Sequence, residues 1–79
     1  MVHLTLYIRT YCHLCDDMQR ALLPFRERFG FTLQLIDVDS DARLERRFDE
    51  KVPVLMAGEE EICHHFLDEE ALRNYFSQQ

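Results

Sequence analysis

Cys12 and Cys15 are separated by two residues in the stretch "TYCHLC". Thiols at this spacing can exchange electrons as a dithiol/disulfide pair, supply half of a metal site, or simply lie near one another. A third cysteine, Cys63, is followed directly by His64 and His65. Those residue types suit zinc, or an iron–sulfur cluster, if the fold gathers them. Spacing alone leaves all of these open, so the surrounding elements have to discriminate.

Residues 2–8, "VHLTLYI", alternate Val2, Leu4, Leu6 and Ile8 on one face, which predicts a strand, with Tyr7 giving the other face partial cover. From about residue 13 the period changes. Leu14, Met18, Ala21, Leu22, Phe25 and Phe29 form one stripe of an amphipathic helix, and Gly30 suits its C-terminal stop. Pro24 lacks the N–H that would bond the Arg20 carbonyl, so a kink is expected there. Residues 31–38 alternate Phe31, Leu33 and Leu35 before Ile36 and Val38 and read as a second strand, which with the first makes a βαβ unit of parallel strands. A short helix over 41–50 follows, capped by Ser40 or Asp39 and turning Leu44 and Phe48 inward. Residues 52–58 and 60–66 read as a hairpin turning at Gly58. The last helix starts at Asp68, with Leu67 and Leu72 at staple spacing and Tyr75 and Phe76 on its inner face.

This order places Cys12 at the junction of the first strand and first helix. Residues three apart on a helix have Cβ atoms roughly 5–6 Å apart. A small adjustment reaches the disulfide range of about 3.5–4.5 Å. Backbone N–H groups and the helix dipole there favour a thiolate at Cys12 and lower its pKa below the free value of about 8.5. Arg9 is expected to add positive charge, whereas Asp16 and Asp17 oppose it, so the expected depression is moderate. Cys12 would then be the nucleophile and Cys15, deeper in the helix, the resolving thiol. A βαβ context favours this redox reading over a half zinc site.

At 79 residues the chain is read as one domain, residues 1–79, with 47% hydrophobic residues and six Phe to build a small core. A net charge of −6 argues against general nucleic-acid binding. Arg43, Arg46 and Arg47, interleaved with Asp41, Glu45, Asp49 and Glu50, read as a solvated helix face. No apolar run is long enough to span a membrane, and the first residues lack a signal peptide's regions. The expected location is the cytoplasm, where paired cysteines are more often catalytic or metal-binding than structural. A monomer is expected.

"TYCHLC" after a first strand, "KVPVLMAG" opening the third and the order β-α-β-α-β-β-α resemble the thioredoxin superfamily. More narrowly, the chain is similar to the small bacterial glutaredoxin-like proteins. The resemblance implies an α/β, thioredoxin-like fold of glutaredoxin type: a four-stranded mixed sheet with helices on both faces. It also implies a cis peptide bond before Pro53 facing the cysteines. Val52 would then offer its backbone N–H and C=O to an added peptide or glutathione strand. The chain departs from glutaredoxins in two places. His13 stands where they usually have proline after the first cysteine. Cys63 and His64 replace the Gly-Gly segment that binds the γ-glutamyl group, with Asp68 and its acidic neighbours as the remaining counterparts.

The expected activity is thiol–disulfide oxidoreduction on a protein or low-molecular-weight disulfide. Cys12 and Cys15 are its catalytic residues, and Arg9, Tyr11, His13, Val52 and Pro53 shape the substrate site. No metal or resident cofactor is expected, and glutathione stays open as a co-substrate. The partners would be a disulfide-containing protein or a glutathione-type thiol, with a reductase or glutathione as reductant. His13 is read either as stabilising the thiolate or as a solvent-facing first-turn residue. Cys63 is read as a small buried hydrophobe, and His3 as a strand surface residue. The rival function is a thioredoxin-fold binding module whose cysteines hold zinc or an iron–sulfur cluster, or do nothing catalytic.

Overall fold

Alternation in the first segment produces what it predicts: Leu4 and Leu6 are buried on one face of strand β1 (His3–Ile8). The computed structural model describes residues 2–78. Helix α1 (His13–Phe29) follows, then β2 (Thr32–Asp37), α2 (Ala42–Phe48), β3 (Val54–Ala57), β4 (Glu60–His64) and α3 (Glu69–Ser77). Single 3-10 turns at Val38–Ser40 and Asp49–Lys51 flank α2. The four strands form one sheet in the order β2-β1-β3-β4. β1 and β2 are parallel, whereas β1–β3 and β3–β4 are antiparallel. This is the α/β, thioredoxin-like architecture.

Two core clusters show how the faces are covered. Leu4, Leu6 and Leu55 pack with Met18, Leu22 and Phe25 of α1 and Leu72 of α3. On the opposite face, Val54 and Met56 pack with Val38 and with Phe48 of α2, and Leu44 leans on the same cluster. Val54, Leu55 and Met56 are all buried, as expected of a central strand covered on both sides. Tyr7 also stacks on Phe48 with ring centroids 4.2 Å apart, which adds an aromatic pair to the contacts that hold α2 to the sheet. Among the described residues no helix is long and apolar enough to cross a membrane.

Local signals account for most element ends. Gly30 closes α1 at φ 71°, its N–H donating to the Arg26 carbonyl. Asp68 caps α3 by accepting from the Ala71 N–H at 3.0 Å. Gly58 takes φ 62° in the two-residue β3–β4 loop, where a side chain would be strained.

Several boundaries differ from the sequence reading. α2 is shorter than 41–50, and its cap is Asp41, whose carboxylate accepts from the Arg43 N–H, rather than Ser40 or Asp39. Ser40 and Asp39 belong instead to the preceding 3-10 turn, which Asp37 caps. β4 ends at His64 because His65 adopts φ 66°. Ala21, placed on the buried stripe of α1, is exposed, and Cys15 is buried in its stead. Leu35 is 47% exposed because β2 is an edge strand. α1 is assigned as helix without interruption through Pro24, which lies on its exposed side.

Candidate active site

The last residues of the β1–α1 connection set the geometry of the cysteine pair. Tyr11 takes φ 59° and swings its ring fully into solvent (101% exposed). The chain then enters α1 with Cys12 as N-cap in an extended conformation. Cys12 Sγ accepts the Cys15 backbone N–H at 3.1 Å. The sulfur thereby stands where a Ser or Asp oxygen stands in an ordinary cap. The Cys12 and Cys15 sulfurs lie near disulfide distance, with Cα atoms 5.2 Å apart, inside the usual range of about 4.4–6.8 Å for such a bond. Cys15 is only 1% exposed and packs among Val38, Phe48, Val52 and Val54, whereas Cys12 is half-buried at the surface.

The other residues named from sequence fall into two groups. Val52 comes to the cysteines, sharing a core cluster with Cys15, while its peptide bond to the buried Pro53 is cis. Tyr11 and His13 flank Cys12 on the exposed side. Arg9 is turned elsewhere. Its Nε lies 3.3 Å from Asp39 Oδ1, so the thiols see an ion pair and not a free cation. Thr10 donates to Asp37 Oδ2 at 3.1 Å, and these two contacts tie the approach to Cys12 to the end of β2. Asp17, expected to oppose the thiolate, is paired with Arg20 at 2.5 Å.

Residues 3–77 match the model of the glutaredoxin-like domain family (DUF836). The chain belongs to that family. Among solved structures, the glutaredoxin-like domain is similar to protein Ne2328 from Nitrosomonas europaea, determined by solution NMR. That match has 36% identity and a TM-score of 0.87, and it covers 94% of this chain and 89% of that one. Protein XcR50 from X. campestris, an X-ray structure, is 35% identical over 96% of this chain and 97% of that one, with a TM-score of 0.73. Thioredoxin O1 from Arabidopsis thaliana in its oxidised state matches at 15% identity and a TM-score of 0.63, covering 99% and 77% of the two chains. At that identity the likeness concerns the fold alone. No curated protein matches the chain.

The glutaredoxin-like domain also holds a residue that sequence reading did not assign to the site. His65 donates its backbone N–H to the Pro53 carbonyl at 2.8 Å, and its ring Nε2 donates to the Glu50 carbonyl at 2.8 Å. The Phe66 N–H meanwhile reaches back to the His64 carbonyl at 2.7 Å, closing a tight turn around His65. One residue thus fastens the segment before and at the cis proline to the end of β4. Nothing in the local sequence marks the position, because few non-glycine residues take positive φ even among types such as histidine that are enriched there.

As neighbours on a strand, His64 and His65 would point to opposite faces. Their rings instead lie 4.9 Å apart, edge to face, because His65 has left the strand. His64 Nδ1 donates to Glu61 Oε2 at 2.8 Å, and Lys51 Nζ bonds Glu61 Oε1 at 2.6 Å. Those two partners hold the Glu61 carboxyl below its usual range. Cys63 lies in the core cluster beneath α1 and α3, and burial pushes its thiol up. A register shift between Leu55 and Met56 sets Ile62 opposite no residue of β3, and Ile62 and Cys63 both meet that cluster. Among the described residues no three Cys, His, Asp or Glu side chains gather as a metal site would require. The fold and the cysteine pair together are consistent with redox function.

Proposed function

We propose that this glutaredoxin-like domain is a thiol–disulfide oxidoreductase in which Cys12 attacks and Cys15 resolves. The observation that carries the reading is the Cys15 N–H aimed at Cys12 Sγ at the start of α1. A backbone donor and the positive end of a 17-residue helix both favour negative charge on that sulfur. The difference in exposure supports this order of events, with Cys12 half-buried at the surface and Cys15 only 1% exposed. In the reduced domain, the Cys12 thiolate attacks one sulfur of a substrate disulfide. A Cys12–substrate bond forms, and the displaced thiolate takes a proton from solvent. Cys15 then loses its proton, attacks Cys12 Sγ and releases the second substrate thiol. Two electrons have passed to the substrate, and the domain is left with the Cys12–Cys15 disulfide. An external thiol, glutathione or a reductase, returns it to the dithiol by the reverse steps.

The substrate would lie beside Tyr11 and His13, with the Val52 backbone alongside. The reducing cytoplasm is the proposed compartment, since there the pair is continually re-reduced. Equilibration in glutathione redox buffers tests the proposal. A reversible two-electron transition of the Cys12–Cys15 pair is expected, and Cys15→Ser should accumulate a mixed disulfide on Cys12. The idea fails if the pair never oxidises reversibly. It fails equally if Cys12→Ser leaves Cys15 as reactive as in the wild type, or if purified protein holds stoichiometric zinc or iron that Cys12→Ser releases.

A further inference from the structure

Among the described residues four large apolar side chains are strongly exposed: Tyr11, Leu23, Leu35 and Phe66. Leu35 stands singly on β2, as scattered surface residues do, and Leu23 borders a depression on α1 whose one other large apolar wall, Phe31, is itself buried. Phe66, 69% exposed, is different. It lines a groove of about 270 Å³ between α1 and the β4–α3 turn, together with Leu14, Met18, Ala21 and Leu67. Leu14 is the residue between His13 and Cys15, so the groove opens within the first turn of the helix that carries the cysteine pair. Met18, only 2% exposed, forms its floor. Phe66 also lines a second depression of about 640 Å³, shared with β4 and the start of α3, so one exposed ring borders both.

The rim of the groove is acidic. Asp17 and Glu69 line it, and Asp16, Asp68 and Glu70 stand next to them in the first turns of α1 and α3. Two guanidiniums pair with rim carboxylates, Arg20 with Asp17 and Arg73 with Glu69, and His65 also lines the groove with its ring Nε2 bonded to the Glu50 carbonyl. The excess is negative, in a chain whose net charge is already −6. An apolar floor with a negative rim selects a ligand that is apolar at its centre and cationic at its edge.

We propose that this groove docks the disulfide-bearing segment of a protein partner through an apolar side chain flanked by Lys or Arg. The proposal rests on the oxidoreductase reading above and adds the substrate class to it. Such a segment would place its own cysteine over Cys12 while its neighbouring side chain lies between Leu14 and Phe66. Glutathione, a small anion, has neither feature.

The test uses three short peptides, each as its mixed disulfide with 2-mercaptoethanol. One carries Leu and two Arg beside its cysteine, the second has Glu in place of Arg, and the third has Ser in place of Leu. Reduced wild-type protein should react with the Leu/Arg peptide about tenfold or more faster than with the Leu/Glu peptide at low salt, and the ratio should shrink in high salt. Asp17→Asn with Glu69→Gln should compress the Arg/Glu ratio. Phe66→Ser should compress the Leu/Ser ratio. Because ratios are compared within each variant, a general loss of reactivity does not mimic the result. Equal rates for all three peptides, or ratios untouched by these substitutions, would overturn the docking proposal. Reaction with neutral hydroxyethyl disulfide would in that case leave the oxidoreductase reading standing. If no disulfide reacts at all, that reading fails, and docking is decided by NMR with the Leu/Arg peptide carrying Ser for Cys. Shifts at Leu14, Phe66 and Leu67 support it, whereas shifts elsewhere or none overturn it. Concentration-dependent shifts of Phe66 without any peptide would also overturn it, since they assign the groove to a second copy of the chain.

Discussion

Replacing His65 separates two opposing contributions that the structure places on one residue. Its φ of 66° is costly for any side chain, by about 1–2 kcal/mol against a right-handed or extended residue. Its ring bond to the Glu50 carbonyl, 2.8 Å long, returns about 0.5–1.5 kcal/mol. His65→Ala keeps the backbone cost and loses the ring bond, so it should destabilise the fold by about 1 kcal/mol. His65→Gly loses the same bond but removes the backbone cost, so it should lie about 1 kcal/mol above the alanine variant and close to wild type. For a domain of this size 1 kcal/mol moves Tm by about 4–8 °C, which thermal denaturation resolves easily. Hydrogen exchange at the residue-65 amide, which donates to Pro53, reads the same tether locally. If alanine and glycine lower Tm equally, the backbone argument is wrong. If neither moves it, the ring bond contributes nothing and His65 does not hold the cis-proline segment.

Three other perturbations probe the framework and the thiols. Phe48→Ala removes the buried ring that stacks on Tyr7 and should cost about 3–5 kcal/mol in urea denaturation, with a loss below about 1 kcal/mol contradicting its role as the anchor of α2. In reduced protein, iodoacetamide should modify Cys12 while Cys63 stays unmodified until denaturant is added, because burial both shields the Cys63 thiol and keeps it protonated. Rapid labelling of Cys63 in the folded state would contradict that burial. For Glu61 the folded carboxyl lies below its ordinary value of 4.5, so the folded state binds fewer protons than the unfolded one in that range. Its contribution is therefore complete above pH 4.5 and is lost as pH falls through the lower folded value. With the pair largely solvated, the wild-type advantage over Glu61→Gln should be only a fraction of a kcal/mol, and an advantage that persists unchanged at the acid end would refute the assignment.

The element order was legible in the sequence because it rests on local patterns. Alternation through Leu4 and Leu6, the stripe through Met18, Leu22 and Phe25, and the stops at Gly30, Gly58 and Asp68 all act between residues a few positions apart. The place of Cys12 at the start of α1 followed from the same kind of reasoning, whereas its capping role and the bond from the Cys15 N–H came from the structure. Alternation failed at Leu35, since only the strand order makes β2 an edge. It failed again at His65, where a positive φ ends the strand and brings the two histidine rings together.

What the sequence determined alone is the pair of thiols at a helix start and the strands and helices that present them. Tertiary structure decided what surrounds them. Arg9 answers Asp39, 30 residues away, instead of Cys12. His65 reaches back 15 residues to Glu50, and Phe66 comes to lie across a groove from Leu14. The physical reason is range. Periodicity and capping are set by neighbours along the chain, whereas charge pairing, loop tethering and the walls of a groove depend on which distant residues the sheet order brings within a few ångströms.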